Sequence, residues 1–193
     1  QGAKLDIKSV REACRAGIGY VSDDRKHEGL IPLMSVHENI CLPAYAEKLN
    51  NKGFLRLETG RALSRRFFDQ LGVRCAGPQQ AIGSLSGGNQ QKCIIGRWMA
   101  NDAKLLVLNM PTRGVDVGAR SEIYRALEDL AESGVAVLVV SLEMPEVLSI
   151  ADRIYIMREH KIVAEVDQAD ATQEYLLSMA LGVPPAAGKE EHL

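Results

Sequence analysis

The sequence has few aromatic residues, little net charge and no long hydrophobic run. Aromatic side chains make up 5% of the 193 residues, and 23 Lys and Arg against 25 Asp and Glu give a formal charge of −2. Without a basic face or a platform for stacking bases, nucleic acid is not expected as the main ligand. The longest apolar run, residues 135–140, is far shorter than the ~18 residues that a membrane span needs. No apolar segment follows the amino-terminal residues, so a signal peptide is not predicted either.

Cysteine is also sparse and has no pairing pattern. Cys14, Cys41, Cys75 and Cys93 are widely spaced, and none belongs to a Cys-x-x-Cys sequence. A disulfide scaffold or a structural zinc site is therefore not expected, and the thiols should be reduced. The composition, 46% hydrophobic and 25% charged, is typical of a folded domain that can bury a sizeable core.

Apolar runs alternate with helical periodicity, which predicts an α/β fold. Strands are expected at 18–22, 105–108 and 135–140, and helices at 9–16 and 117–133. Continuous apolar strands are typical of a parallel sheet with both faces covered. The helix over 117–133 should turn Ile123, Leu127 and Leu130 inward, and the βαβ unit it completes should cross over right-handed.

The remaining segments predict helices and one hairpin. Residues 35–100 have a helical pattern that begins with a capping box formed by Ser35 and Glu38. A helix over 58–71 should bury Leu63, Phe67 and Leu71. A hairpin is expected at 153–157 and 161–166 with its turn near Glu159 and His160, and then a helix over 171–181 that Pro184 and Pro185 stop. The predicted organisation is an α/β core over 1–34 and 101–183, a helical subdomain over 35–100 and a flexible tail over 184–193.

The segment Leu-Ser-Gly-Gly-Asn-Gln-Gln, residues 85–91, is the most informative motif. Two glycines after a serine allow a ligand to approach the backbone, and an apolar helix follows at once. Free amides and the positive end of the helix dipole form an anion site, to which Ser86 would add a hydroxyl donor. The alternative is a plain Ser-Gly-Gly turn that only caps the helix.

A second motif follows the apolar strand at 105–108 and reads Asn-Met-Pro-Thr-Arg-Gly-Val-Asp, residues 109–116. With the first motif before it, the chain resembles the ATP-binding-cassette family. More narrowly, it resembles the second cassette of the double-cassette ATPases that power importers of ribose, galactose and xylose. The segments 20–26 and 143–147 are similar to that subfamily as well, and the resemblance runs from about residue 13 to 183. It implies an α/β P-loop NTPase core with a parallel sheet and an inserted helical subdomain.

The resemblance implies roles for particular residues. The family signature, which grips the γ-phosphate of ATP held by an opposing cassette, corresponds to Ser86, Gly87, Gly88 and Gln90. Asp116 matches the D-loop aspartate at the cassette interface, and Asp23 falls at the position of the Q-loop glutamine. The helical subdomain is expected to meet the membrane permease. ATP and Mg²⁺ are expected at a composite site shared with a partner cassette, and none is expected on the isolated chain.

Three groups that hydrolysis needs in this family are absent. Where the family has a Walker B aspartate for Mg²⁺, a glutamate that polarises water and a switch histidine, this sequence has Asn109, Met110 and Leu142. An amide is a poorer ligand for a hard cation than a carboxylate, and a thioether is no general base. Glu143 is not expected to replace the histidine, because its negative charge would lie near phosphates. No intact catalytic set and no resident metal site are therefore predicted.

The 193 residues contain no Gly-x-x-x-x-Gly-Lys-Ser/Thr sequence. In the resembling family this phosphate-binding loop lies upstream of the segment that matches Gln1, so we expect an N-terminally truncated cassette that lacks its first ~50 residues. The missing strand should lie between the strand at 135–140 and the one that starts near Arg153, which leaves two unpaired edges. An altered cassette that can form a homodimer is the expected result.

The sequence thus predicts the nucleotide-binding domain of a sugar importer, inactive alone and able to complete the ATP site of a first cassette. It should be cytoplasmic and lie at the inner face of the cell membrane when assembled with permease subunits. One alternative is a non-catalytic regulatory or interaction module derived from a cassette, which the lost catalytic groups favour and the preserved residues 85–90 and Asp116 disfavour. Another is a soluble cassette protein of DNA repair or translation, which the charge of −2 and the short insert disfavour. The sequence does not identify the sugar.

Overall fold

The computed structural model describes residues 4–47, 49–51 and 54–183. The chain divides into two compact units, Gln1–Val140 and Ser141–Leu193. The flexible tail predicted over 184–193 lies outside the described residues. Among the described residues, no helix is both long and apolar enough to span a membrane.

The first unit combines helices with a parallel sheet. Its helices are α1 (Val10–Arg15), α2 (Val36–Glu47), α3 (Leu57–Gln70), α4 (Gly87–Ala100) and α5 (Val117–Glu132). Its strands are β1 (Ile18–Val21), β2 (Asn50–Asn51), β3 (Phe54–Leu55), β4 (Leu105–Asn109) and β5 (Ala136–Val140). The order β1-β4-β5, with both pairings parallel, confirms the predicted α/β fold with a parallel sheet.

One face of this sheet forms part of the core. Gly19 pairs with Leu106 and Val21 with Leu108, so these residues point to the same face. Val21, Leu106 and Leu108 are fully buried there. Trp98 of α4 packs on Gly19. A Cβ atom added to this glycine would lie 2.7 Å from Cγ of the tryptophan. The glycine therefore lets α4 approach the sheet closely.

The opposite face is more open than predicted. Tyr20, Leu138 and Val140 expose about half of their surface, at 52%, 47% and 50%. The prediction that both faces of the strand at 135–140 are covered is therefore wrong for the described residues. An apolar sequence reports how well a strand tolerates burial, and the elements packed on it decide whether burial occurs.

The segment between β1 and β4 is mostly helical, as predicted, but contains one small hairpin. The capping box at the start of α2 is present, since the backbone N of Ser35 donates to Glu38 Oε2 at 2.8 Å and the backbone N of Glu38 donates to Ser35 Oγ at 3.2 Å. Phe67 is buried on α3, and Leu71 is buried just after it. Between α2 and α3, β2 and β3 pair antiparallel, so the expectation of helix throughout is wrong there. The assignment of 35–100 as a separate subdomain stays a prediction.

Helix α5 matches its sequence pattern closely. Ile123, Leu127 and Leu130 are all buried, which confirms the predicted inward face. Gly134 follows the helix with φ of 92°, a left-handed conformation that glycine adopts without strain. The charged segment 23–29 contains a short helical turn, Arg25–Gly29, because Asp24 accepts from the backbone N of His27 at 3.2 Å and caps it.

The second unit consists of α6 (Met144–Ile150), β6 (Arg153–Arg158), β7 (Lys161–Asp167) and α7 (Gln173–Leu181). Strands β6 and β7 form the predicted antiparallel hairpin, and Glu159 and His160 make its turn with positive φ angles. Within the part of the chain that the structure describes, β6 pairs only with β7 and β5 only with β4, so each keeps the unpaired edge expected from the sequence. Helix α7 ends at Leu181 and is capped by Gly182, with φ of 73°, before the prolines that were predicted to stop it.

Candidate functional site

The predicted site residues Asp23 and Asn109 meet at the carboxyl edge of the parallel sheet. Asp23 follows β1 and Asn109 ends β4, and adjacent parallel strands finish at the same edge. Asn109 Nδ2 donates to Asp23 Oδ1 at 3.0 Å. The other carboxylate oxygen of Asp23 forms an ion pair with Arg113, which lies in the turn after β4. The structure therefore adds Arg113 to the residues expected here.

This arrangement does not fit a magnesium ion. A carboxylate can only accept, so the amide of Asn109 must present its N–H group to Asp23. Both oxygens of Asp23 are engaged, one of them with a cation, and hard cations need available oxygen ligands. In the described ranges of the chain, no group of three or more His, Cys, Asp or Glu side chains could hold a metal ion.

Met110 continues the backbone at this edge in a left-handed conformation. Its φ is 49°, which is uncommon for a residue with a side chain, and its backbone N donates to the carbonyl of Val140 at 2.8 Å. A thioether at this position offers no basic oxygen to activate water. Leu142, at the expected position of the switch histidine, belongs to the second unit and is 86% exposed.

The predicted signature residues lie at the start of α4. Ser86 is the N-cap residue and is exposed, but its side chain makes no hydrogen bond to the backbone of the first turn. Its Oγ instead accepts from Asn89 Nδ2 at 2.9 Å. The first-turn amides of α4 are therefore left without a side-chain cap at the positive end of the helix, which suits an anion such as a phosphate oxygen.

Both signature glycines occupy positions where a side chain would not fit. A Cβ atom at Gly87 would lie 2.8 Å from Arg25 Nη2 and 3.0 Å from the carbonyl oxygen of Gly114. A Cβ atom at Gly88 would overlap the Cβ atom of Ala119 on α5. The two glycines thus allow the start of α4 to pack directly on the turn after β4 and on the start of α5.

Gln90 is buried within the same helix and connects it to two other segments. Its Nε2 donates to the carbonyl of Ile82 at 3.2 Å, and its Oε1 accepts from Arg25 Nε at 3.2 Å. Arg25 Nη1 also donates to the carbonyl of Arg113 at 3.4 Å. Burial lowers the pKa of Arg25 below its ordinary value, although the guanidinium stays charged at neutral pH.

Asp116, the predicted D-loop aspartate, has a structural role in its own helix. Its Oδ1 accepts from the backbone N of Ala119 at 2.9 Å, which makes Asp116 the N-cap of α5. The side chain is exposed, and the turn that precedes it contains Gly114 with φ of 67°. Asp116 is therefore held at the surface close to the start of α4.

Arg25 and Arg113 are the site residues that sequence reasoning missed. Both lie in charged or turn segments, where an arginine is most often solvated. The available signal was position: Arg25 follows a buried strand, and Arg113 follows the strand that ends at Asn109. Together with Asp23, Asp24 and Lys26 they line a cleft of about 350 Å³.

No family model matches the chain. It is similar to the ribose import ATP-binding protein RbsA of Yersinia pestis bv. Antiqua (strain Antiqua), with 43% identity over 189 residues, which are 98% of this chain and 37% of that protein. It is 46% identical over 182 residues to the arabinose import ATP-binding protein AraG of Yersinia pestis, covering 93% of this chain and 34% of that protein. The chain therefore spans about a third of the length of these relatives.

Solved structures show the same fold. The dimeric post-hydrolysis state of the ATP-binding cassette MJ0796, bound to ADP and Pi, matches 84% of this chain and 68% of its own with a TM-score of 0.69 and 23% identity. The protein cbiO1 from Clostridium perfringens, part of the ABC transporter complex cbiONQ, matches 81% of this chain and 59% of its own with a TM-score of 0.67 and 22% identity. At these identities the likeness establishes the α/β cassette fold alone.

Proposed function

Since this chain belongs to the ATP-binding-cassette family, we propose that it is a nucleotide-binding domain of a sugar importer that completes the ATP site of a partner cassette. Its similarity to ribose and arabinose import ATP-binding proteins supports the class of transporter. The observation that carries the proposal is the start of α4, where the first-turn amides have no side-chain cap and Ser86 is exposed. The chain's contribution is this signature half of the site.

The start of α4 is suited to a polyphosphate held from the other side. Backbone amides at the positive helix end attract the negative charge, and the hydroxyl of Ser86 can donate to a phosphate oxygen. The close contacts of Gly87 with Gly114 and of Gly88 with Ala119 support the loop from behind. A loop that is already ordered before ATP binds loses less conformational entropy on binding.

By contrast, the edge of the sheet at Asn109 is degenerate, because it lacks the groups that hydrolysis needs. Asp23 is occupied by Asn109 and Arg113, Met110 cannot activate water, and the 193 residues hold no Gly-x-x-x-x-Gly-Lys-Ser/Thr loop. When ATP and Mg²⁺ are bound, they supply the phosphoryl group and the charge neutralisation for hydrolysis at the composite site. The residues of this chain bind and orient from the signature side only. We therefore expect no ATP turnover by the isolated chain.

The proposed partners are a first cassette, in the same or another chain, and the subunits of a membrane permease. Hydrolysis at the composite site would be coupled to that permease through the helical segment 35–100. Such an assembly locates the chain on the cytoplasmic face of the cell membrane. A homodimer of this chain alone would pair two signature halves and leave both without a phosphate-binding loop.

The test is stimulated ATP turnover after mixing the full chain with a purified first cassette of a ribose-type importer. The wild-type chain should raise turnover, and Ser86→Ala should lower the stimulated rate about 10-fold through the lost donor to phosphate. Ser84→Ala is the matched control, because Ser84 is exposed, lies two residues earlier and bonds to its own turn, donating to the carbonyl of Ala81 and accepting from Gln80 Nε2. It should leave the rate unchanged.

The rival function is a regulatory or interaction module, which the loss of catalytic groups at Asn109, Met110 and Leu142 favours. That module would bind the first cassette without raising its turnover, and Ser86→Ala would change nothing. Calorimetric titration of the isolated chain with ATP and Mg²⁺ gives a second reading. No heat at millimolar ATP is expected, whereas micromolar binding would mean that the chain has a phosphate site of its own and would refute the half-site proposal.

A further inference from the structure

Arg25 joins three segments that are far apart in the sequence. It opens the helical turn Arg25–Gly29 that follows β1. Its Nε donates to Gln90 of α4 at 3.2 Å, and its Nη1 donates to the carbonyl of Arg113 at 3.4 Å. One guanidinium therefore connects the turn after β1, the signature helix and the turn that leads to Asp116.

The contact between Arg25 and Gln90 fixes the orientation of the glutamine. A carbonyl oxygen can only accept and a guanidinium can only donate, so Gln90 presents its Nε2 to the carbonyl of Ile82 at 3.2 Å and its Oε1 to Arg25. Gln90 is 7% exposed, and neither of its amide atoms has water as an easy alternative partner. Without Arg25 the acceptor at Oε1 would lose its partner in a buried position.

Arg25 also lies against the signature backbone itself. Its Nη2 is 2.8 Å from the point where a Cβ atom of Gly87 would be, beside the carbonyl oxygen of Gly114. A side chain at residue 87 would displace the guanidinium from both helix and turn. Because Gly87 has no side chain, both Arg25 and a ligand can approach the backbone closely.

We propose that Arg25 is a positioning residue for the signature loop, holding residues 86–90 and 113–116 in the arrangement that receives ATP from a partner cassette. This inference rests on the proposed function, because it assigns the means by which the signature half is ordered in advance. Arg25 acts through Gln90, Gly87 and the carbonyl of Arg113. These contacts require a planar guanidinium with several N–H groups, and the ammonium group of a lysine does not provide that geometry.

The first test is hydrogen exchange of backbone amides in the full chain without nucleotide. Arg25→Gln and Arg25→Lys should both speed exchange about 10-fold in residues 86–91 and 113–116, as expected when a hydrogen bond to a charged group is lost, and leave α5 and β5 unchanged. Lys26→Gln is the matched control, since it removes the same charge from an exposed position in the same turn. Equal exchange in wild type and both Arg25 variants would overturn the proposal.

The second test separates positioning from direct contact with ATP. In the mixture with a first cassette, Arg25→Gln should raise the KM for ATP about 10-fold while kcat stays within about 2-fold, because saturating ATP can order the loop by itself. A loss confined to kcat would overturn positioning and indicate that Arg25 touches the reacting phosphate. If the wild-type chain does not stimulate the first cassette, the proposed function fails, and the exchange measurement still decides the role of Arg25.

Discussion

Lowering the pH from about 8 to about 5.5 should weaken the packing of α2 on α3 through His37. His37 is buried, and its Nδ1 lies 2.6 Å from Ser64 Oγ. Because the hydroxyl of Ser64 donates to the carbonyl of Arg61 at 3.1 Å, it accepts from Nδ1–H of His37. The hydroxyl of Tyr45 then donates to Nε2 at 2.9 Å. This arrangement, with the hydroxyl of Tyr45 as the donor, requires a neutral imidazole, because both ring nitrogens of a protonated histidine are donors.

Burial and the charged groups around His37 together set the sign of the effect. Burial, and then the positive charge of Arg61, hold the pKa of His37 below its ordinary value, and Glu38 opposes them. The unfolded chain therefore binds a proton at His37 more readily than the folded chain does. The stabilisation is fully present above about pH 6.5 and is lost as the pH falls towards the folded pKa. Each pH unit between those two pKa values costs about 1.4 kcal/mol of unfolding free energy.

Urea unfolding followed by circular dichroism at the two pH values measures this loss. His37→Gln should flatten the pH dependence of the free energy of unfolding. The carboxyl groups with lowered pKa values, those of Asp24, Glu38 and Glu122, lose their contributions only below about pH 4.5, outside the window. A His37→Gln chain with the full wild-type dependence would refute the hydrogen-bond argument.

Three further changes test the packing around the site by thermal or urea unfolding. Gly88→Ala should cost about 1–3 kcal/mol because its methyl group overlaps Ala119, and adding Ala119→Gly should restore most of the loss; no recovery would contradict a local clash. Burial lowers the pKa of Arg97 to about 10, and within the described residues its guanidinium donates to Asn39. Arg97→Met should therefore cost about 2 kcal/mol less than Arg97→Ala; equal losses would exclude a packing role. Tyr45→Phe should cost about 1–2 kcal/mol, and a neutral result would mean that water replaces the hydroxyl.

Local signals in the sequence were sufficient for several individual elements of the fold. The capping box at Ser35, the inward stripe of α5 and the turn at Glu159 each depend on residues within a few positions of one another, and the structure has all three. The parallel sheet also followed from local evidence, since two apolar strands on either side of an amphipathic helix leave few other arrangements. These are short-range regularities of propensity and periodicity.

Two features could not be predicted in the same way: whether other elements cover a strand, and which distant polar or charged side chains pair. Leu138 and Val140 are as apolar as any buried strand residue, yet their exposure depends on which elements pack over them. The ion pair of Asp23 with Arg113 joins residues 90 positions apart, and the contact of Arg25 with Gln90 joins residues 65 apart. No periodicity reports such pairs, because they exist only once β1, β4 and α4 have been assembled.

Arg25 and Arg113 explain why two parts of the candidate site differ in charge, namely the region around Asn109 and the start of α4. Arg113 is paired with Asp23, whose second oxygen binds the neutral amide of Asn109, so this half carries no unbalanced charge for a metal ion or a nucleotide. Arg25 differs, because both of its acceptors are uncharged oxygens, on Gln90 and on the backbone of Arg113. Its positive charge adds to the positive end of α4, where Ser86 leaves the first-turn amides uncapped. An anion is therefore favoured at the start of α4 and not at Asn109, in agreement with the proposal that this chain contributes only the signature side of an ATP site.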